Sequence, residues 1–240
     1  MKINTTHMAS IEMLIDEARS QGQEPPRPHL GCSVIGESCE RKLWLSFRWA
    51  VLPNFEGRIM RLFRRGQEEE KFFVRDLRRI GVDIQDTEGN QSRVTLAPHF
   101  SGSLDGVIRS GLPGYELQPH IAEFKTHSLK SFNELRATPE GIKKAKPLHY
   151  AQMQAYMLGK NIERGLYAAV CKDDDRLYFE RVKLDREFAL SLVEKAKRII
   201  HADRMPEPLS ANPTWYQCKM CDAHSFCHVT KTTKEVNCRT

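Results

Sequence analysis

The run SGSLDGVIRSGLPGYELQPHIAEFKTHS, residues 101–128, decides how this sequence is read. Asp105 closes a short strand-like segment, a turn region follows around Gly111, Pro113 and Gly114, and a second segment then reads Ile121-Ala122-Glu123-Phe124-Lys125. Side chains of a strand alternate faces, so Glu123 and Lys125 share one face while Ala122, Phe124 and Thr126 share the other. This pattern suits hydrolysis of a phosphodiester around a divalent ion. Asp105 and Glu123 would be the carboxylates that hold the ion, which would act as Lewis acid and supply a bound hydroxide. Lys125 is placed to orient that water, to deprotonate it as the free amine, or as ammonium to offset charge building on the phosphate. The same alternation also describes a half-exposed strand with an ordinary Glu/Lys pair.

Upstream, residues 55–80 have the spacing of one long helix. Ile59, Phe63, Gly66, Glu70, Phe73, Leu77 and Ile80 fall on one stripe, which is expected to face the core. Glu70 is the only charged member of that stripe. A carboxylate there is costly unless it is paired or holds a cation, which makes Glu70 the third candidate metal ligand. Its neighbours Glu68 and Glu69 fall on other faces. Gly81 ends the helix, and two strand-like runs are expected around Glu88-Gly89-Asn90.

Before it, residues 5–21 carry Ile11, Leu14, Ile15 and Ala18 at helical spacing, with Gly22 as the stop and QEPPRPH as a linker. Another helix is expected to begin near Glu37 or Ser38, within ESCERKLWLSFRW. There Arg41, Lys42 and Arg48 interleave with core aromatics and are candidates for phosphate contacts.

Downstream, residues 128–145 read as a lysine-rich helical or irregular connection. A helix over 147–158 places Gln152 and Tyr156 on one face at i, i+4. Residues 164–172 and 176–184 read as a hairpin around DDD, with Cys171 as a small buried hydrophobe. Asp185 caps a helix whose stripe is Phe188, Leu192, Ala196, Ile199 and Ile200, and Pro206 and Pro208 end it. Strand pairs among helices give a mixed α/β fold.

The 240 residues are enough for one sizeable core, with 40% hydrophobic and 28% charged residues. No apolar run approaches the roughly 20 residues of a membrane span, and the opening MKINTTHMASIEML lacks the layout of a secretory signal, so a cytoplasmic protein without membrane contact is expected. The net charge of +6 is compatible with a polyanionic partner. No G-x-x-x-x-G-K-[ST] loop is present, which argues against a built-in nucleotide motor.

Seven cysteines in such a chain read as metal ligands plus bystanders. Cys218, Cys221 and Cys227 form a C-x2-C-x5-C run, in which one turn of backbone presents two thiolates to one metal. The fourth ligand is open among His224, His228 and Cys238 nearby and Cys39 far upstream, and spacing alone favours the near ones. Four thiolates suit tetrahedral zinc or an iron–sulfur cluster.

Taken in order, Gly66-x-x-x-Glu70, Gly102-Ser103-Leu104-Asp105-Gly106, Glu123-Phe124-Lys125 and Gln152-x-x-x-Tyr156 resemble the PD-(D/E)XK nucleases of the RecB-like branch. With the early cysteine of ESCERKLW and the late cysteine run, the chain is similar to the iron–sulfur subgroup that includes CRISPR-associated four-cysteine exonucleases and phage-encoded relatives. The resemblance covers residues 39–227. It implies an α/β, restriction-endonuclease-like core, a central mixed sheet flanked by helices, with the N- and C-terminal segments joined at a metal cluster. The corresponding divisions are an N-terminal helix and linker (1–30), a nuclease core (31–205) and a cysteine-cluster segment (206–240).

It also implies a magnesium- or manganese-dependent deoxyribonuclease, more an exonuclease than an endonuclease, serving recombination, repair or phage DNA processing in a bacterial or phage-infected cell. Recombination or replication proteins would be its companions. Asp105, Glu123 and Lys125 would be catalytic, and Glu70, Asp105, Glu123 and Phe124 would surround the metal. Cys39, Cys218, Cys221 and Cys227 would hold a 4Fe–4S cluster, with zinc as the alternative occupant. Gln152, Tyr156, Arg41 and Arg65 would meet DNA.

The chain departs from the family pattern at Leu104, where the family name has proline, and at Glu70, where the branch commonly has histidine and some phage exonucleases an acid. Cys32 competes with Cys39 as the early ligand; the ESCERKLW context favours Cys39. A reading of another class is a non-catalytic nucleic-acid-binding protein with a C-terminal zinc module, its core acids serving as salt-bridge partners.

Overall fold

A computed structural model of the chain describes residues 5–21, 25–52, 54–87 and 89–228. Gly22 and Cys238 lie outside the described residues. The chain begins with helix α1 (Thr5–Ser20), a short strand β1 (Leu30–Gly31), a 3-10 turn (Cys32–Val34), and helices α2 (Glu40–Phe47) and α3 (Gly57–Arg79). Strands β2 (Asp83–Gln85), β3 (Arg93–Ala97), β4 (Phe100–Ser103), β5 (Gly106–Ser110) and β6 (His120–His127) follow. A crossover of α4 (Leu129–Ala137), α5 (Ile142–Ala145) and α6 (Pro147–Lys160) leads to β7 (Arg164–Cys171) and β8 (Leu177–Lys183). Helix α7 (Arg186–His201) and the short α8 (Tyr216–Lys219) and α9 (His224–His228) complete the described chain. Among the described residues no helix is long and apolar enough to cross a membrane.

The central sheet has the order β2-β5-β6-β7-β8, and a second sheet has the order β1-β4-β3. Strands β6 and β7 are parallel, whereas the other neighbours in the central sheet are antiparallel, which makes it a mixed sheet. Parallel neighbours need a crossover, and α4 to α6 supply it. Alternation along β7 then divides the core. Tyr167 and Ala169 join the cluster built with α6 and α7, while Leu166, Ala168 and Val170 join the cluster built with α3. The α3 side is anchored by Phe73 stacked on Phe124, ring centroids 5.1 Å apart and 8° from parallel. The molecule is thus a sheet covered by helices on both faces, as expected.

Several local expectations are corrected. Helix α2 starts at Glu40, with Cys39 as its N-cap, so Glu37 and Ser38 precede it. The runs flanking residues 88–90 do not pair with each other, because β2 pairs β5 and β3 pairs β4 in the other sheet. The segment after Asp105, read as turn region, opens with β5. The stripe of α3 faces the core only in its second half. Phe73 and Leu77 are buried, but Phe63 and Ile80 are exposed and a side chain at Gly66 would meet open space. Nor is β6 half-exposed, since it is a central strand whose Glu123 is fully buried.

Helix α2 is fastened across the end of α7. Arg48 donates to the carbonyls of Ile199 (3.1 Å), Ile200 (3.1 Å) and Ala202 (2.7 Å), and Trp44 Nε1 donates to Ala202 O at 2.9 Å. These are the carbonyls a helix leaves unpaired at its C-terminus, so one guanidinium closes α7 and docks α2 in the same act.

Candidate active site

The site forms where β5 and β6 part. Their ladder runs from Ile108↔His120 to Gly106↔Ala122, and beyond it the chain bends away at Asp105. The amide of Phe124, which a continued ladder would have paired, donates to Asp105 Oδ2 at 2.8 Å instead. That bond fixes one carboxylate beside the strand carrying the other. Glu123 is wholly buried and faces α6, opposite Tyr167 in the parallel register. Its Oε1 accepts a hydrogen bond from Lys125 Nζ, and its Oε2 is buried with no partner. Lys125 Nζ lies 3.9 Å from Asp105 Oδ2 as well, so the ammonium stands between the two carboxylates.

Glu70 reaches the same place from α3, at the turn where that helix leaves the core. Burial first, then the Asp105 charge, raise its carboxyl to about 7 despite Lys125. Burial raises Glu123 too, followed by Asp105, with Glu70 adding to it; Lys125 opposes both. The Lys125 ammonium is held well above its ordinary value by Glu123 and Asp105, against the effect of burial. Each group thus bears electrostatically on the others. Among the described residues no three His, Cys, Asp or Glu side chains close on one coordination point, so the acids surround a cation-favouring space without converging within it. The unpartnered Glu123 Oε2 in that space fits a divalent ion, because a buried carboxylate oxygen without a donor is costly until a cation meets it. Phe124, included in the expected metal set, has its ring in the α3 core, which leaves its carbonyl as the only donor it can offer.

Gln152 and Tyr156 lie beside these acids, close enough for the Glu123 charge to bear on Tyr156. They are 6% and 2% exposed, Gln152 Nε2 donates to Tyr156 OH at 3.2 Å, and the Tyr156 ring lies over Gly102, where a Cβ would come within 2.8 Å of it. They pack under the site instead of lining an open groove. Arg41 is not free for DNA either: its Nε donates to Pro206 O at 2.6 Å and its side chain lies against Cys227. Arg65 bridges α3 to the β7–β8 turn through Lys172 O at 2.8 Å and keeps 45% of its side chain exposed.

Three residues next to this centre were not singled out from the sequence. His127 is the next position after Lys125 on the α6-facing row of β6, and His149 precedes Gln152 by one helical turn on the same face of α6. Both bond to the hydroxyl of Tyr167, at 2.8 Å each. The alternation of β6 and the i, i+3 spacing on α6 were the available signals.

The cysteines gather at a second candidate centre, where among the described residues they do not close on one coordination point either. Cys39, Cys218, Cys221 and Cys227 line one small open cleft, together with Glu37, Lys42, His224 and His228. Cys32 is elsewhere, fully buried beneath Gly102 with its thiol raised to about 12 by desolvation, and Cys171 is buried in β7. Of the two candidate upstream cysteines, Cys39 is the one that lies beside the C-terminal run.

No protein-family profile matches the sequence, and no curated protein matches it. Among solved structures, a phage-related exonuclease from Haemophilus somnus 129PT aligns with a TM-score of 0.47 and 17% identity over 71% of this chain and 91% of its own. The alkaline exonuclease LHK-Exo from Laribacter hongkongensis, solved also in complex with dAMP, aligns with a TM-score of 0.50 and 14% identity, covering 78% of this chain and 90% of that one. The chain shares its fold with that exonuclease.

Proposed function

We propose that this protein is a magnesium- or manganese-dependent deoxyribonuclease that acts as an exonuclease on DNA in recombination, repair or phage DNA processing. The observation that carries the reading is Glu123 itself, a fully buried carboxylate with one unpartnered oxygen, set against Asp105, Glu70 and Lys125. A structural ion pair gives no reason to gather three acids around one lysine, whereas a cation-assisted phosphodiesterase needs that imbalance.

Asp105, Glu123 and Glu70 would hold the divalent ion, which supplies Lewis acidity and an activated water. The Phe124 amide keeps Asp105 from turning away. Lys125 places a positive charge where the phosphate accumulates negative charge and where the attacking water is oriented. Gln152 and Tyr156 hold the floor of the site rigid. Arg65, exposed on α3, and the half-buried Lys172 beside it would bind the phosphate backbone, so affinity for DNA falls as salt rises. At the second centre, four cysteine thiolates fit a 4Fe–4S cluster, with zinc the other metal that this donor set accepts.

The test is incubation with end-labelled DNA and manganese. The wild-type protein is expected to release nucleotides, and the E123A/K125A variant, which removes both members of the buried pair at once, is expected to retain its fold and release none. Undiminished cleavage by the purified double variant refutes the assignment.

A further inference from the structure

A chain of polar groups runs behind the candidate site. Ser131 Oγ lies 3.1 Å from His127 Nδ1, His127 Nε2 lies 2.8 Å from Tyr167 OH, and Tyr167 OH lies 2.8 Å from His149 Nδ1. Tyr167 is fully buried and His127 is 6% exposed. The free end of the chain is His149 Nε2. It has no partner among the described residues, and the residue is half-buried. After burial, Lys125 is the charge that bears most on His149. His149, Gln152 and Tyr156 form one face of α6, and Glu123, Lys125 and His127 form the facing row of β6.

Burial and the cations Lys146, Lys125 and Lys172 depress His127 to about 4 against a small opposing effect of Glu134, and burial with Lys125, His127 and Lys146 depresses His149 to about 3. Both rings are neutral at physiological pH. With Tyr167 also neutral and its hydroxyl both donating and accepting within the chain, two proton arrangements are open. In one, Ser131 donates to His127, His127 Nε2–H donates to Tyr167, Tyr167 donates to His149 Nδ1, and His149 presents Nε2–H at the free end. In the other every donor is reversed, both rings carry Nδ1–H, and His149 presents a bare nitrogen.

We propose that His149 is a phosphate-contacting residue of this site, donating Nε2–H to a phosphate oxygen of the nucleic acid beside Lys125, with Tyr167 and His127 as positioning residues that fix its ring and tautomer. The inference rests on the nuclease reading and extends it. A phosphate oxygen only accepts, so it selects the first arrangement, and a neutral imidazole already committed to that tautomer donates without reorganisation as charge develops. The wild-type rate decides whether the nuclease reading stands, and the variants decide whether this inference does.

With end-labelled DNA and manganese, H149A is expected to lower kcat about 10²-fold, the cost of losing one donor aimed at developing charge. H149Q, whose side-chain amide nitrogen sits where Nε2 was, is expected to recover much of that loss. Y167F removes only the hydroxyl and is expected to cost about 10-fold, as groups that orient a functional residue do, and to add nothing in the H149A background. A merely structural role would instead give Y167F its full cost in either background. In wild-type protein, ¹⁵N imidazole spectra should show both rings as Nε2–H, and Y167F should lose that preference at His149; this reading needs no catalysis. Wild-type cleavage with unimpaired H149A, or an Nδ1–H tautomer at His149 with DNA bound, overturns the inference. Absence of cleavage by the wild type removes the nuclease reading and the inference with it.

Discussion

At the scale of single residues, the buried histidines make the stability of this protein depend on pH in a definite direction. Their ordinary value is 6.5, and in the fold His127 is near 4 and His149 near 3. Below 6.5 the unfolded chain therefore binds protons that the native state refuses. Their contribution is complete above about pH 6.5 and declines as pH falls through the window down to the folded values. At about 1.4 kcal/mol per unit, His127 alone is worth on the order of 3 kcal/mol across that window. Urea unfolding at pH 7.5, 5.5 and 4.5 should show wild type losing stability on acidification by more than an H127Q/H149Q variant does. Equal slopes would mean the rings are not held neutral by burial. Glu123 and Glu70 act oppositely, since raised carboxyl values favour the fold at low pH, which is why the difference between the two proteins is the quantity to measure. Glu123 also marks the limit of reading residues from sequence. Alternation placed it with Lys125, but only the parallel neighbour β7 and the helix above it turn a half-exposed position into a buried one.

At the scale of elements, α3 and α6 divide what a periodic pattern reveals from what it conceals. The stripe of α3 was legible as a helix and located Glu70, yet a stripe does not say where the surface it covers ends. The core stops near Phe73, and Gly66 faces open space in the middle of a helix. Alanine there loses less conformational freedom on folding and meets no atom, so G66A is expected to stabilise the protein by about 1 kcal/mol in urea unfolding. Gly102 is the opposite case. A Cβ would enter the Tyr156 ring and press on Cys32, so G102A is expected to cost about 1–3 kcal/mol and to displace the floor of the site. Finding the two glycines equivalent would contradict the packing of α6 against β4. Strand β5 was hidden for another reason. GVIRS is short, begins with glycine and runs into Gly111 with a left-handed backbone, which locally is the signature of a loop. Its strand character comes from β6 and β2 on either side.

At the scale of the whole molecule, the cysteine cavity gathers segments that lie far apart in the chain. Spacing favoured a ligand near the C-terminal run because nothing local in the sequence announces that α2 docks on α7. The docking depends on Arg48 and Trp44 meeting the last carbonyls of α7, and on Arg41 holding Pro206, which together bring Cys39 to the entrance of the cysteine segment. If a metal centre occupies the cavity, Cys39 is as much a ligand as the three clustered thiols. Protein purified anaerobically is then expected to be brown, with iron and sulfide bound, and C39S is expected to lose iron as completely as C221S does. C32S should keep its iron, because that thiol is buried beside Tyr156 away from the cavity. Release of the centre would also free the connection after α7, so limited proteolysis should cut C39S within residues 203–217 while sparing the sheet. Colourless protein containing zinc would replace the cluster with a zinc centre on the same four thiols. Iron retained in full by C39S would detach α2 from the centre and leave His224 or His228 as the fourth ligand.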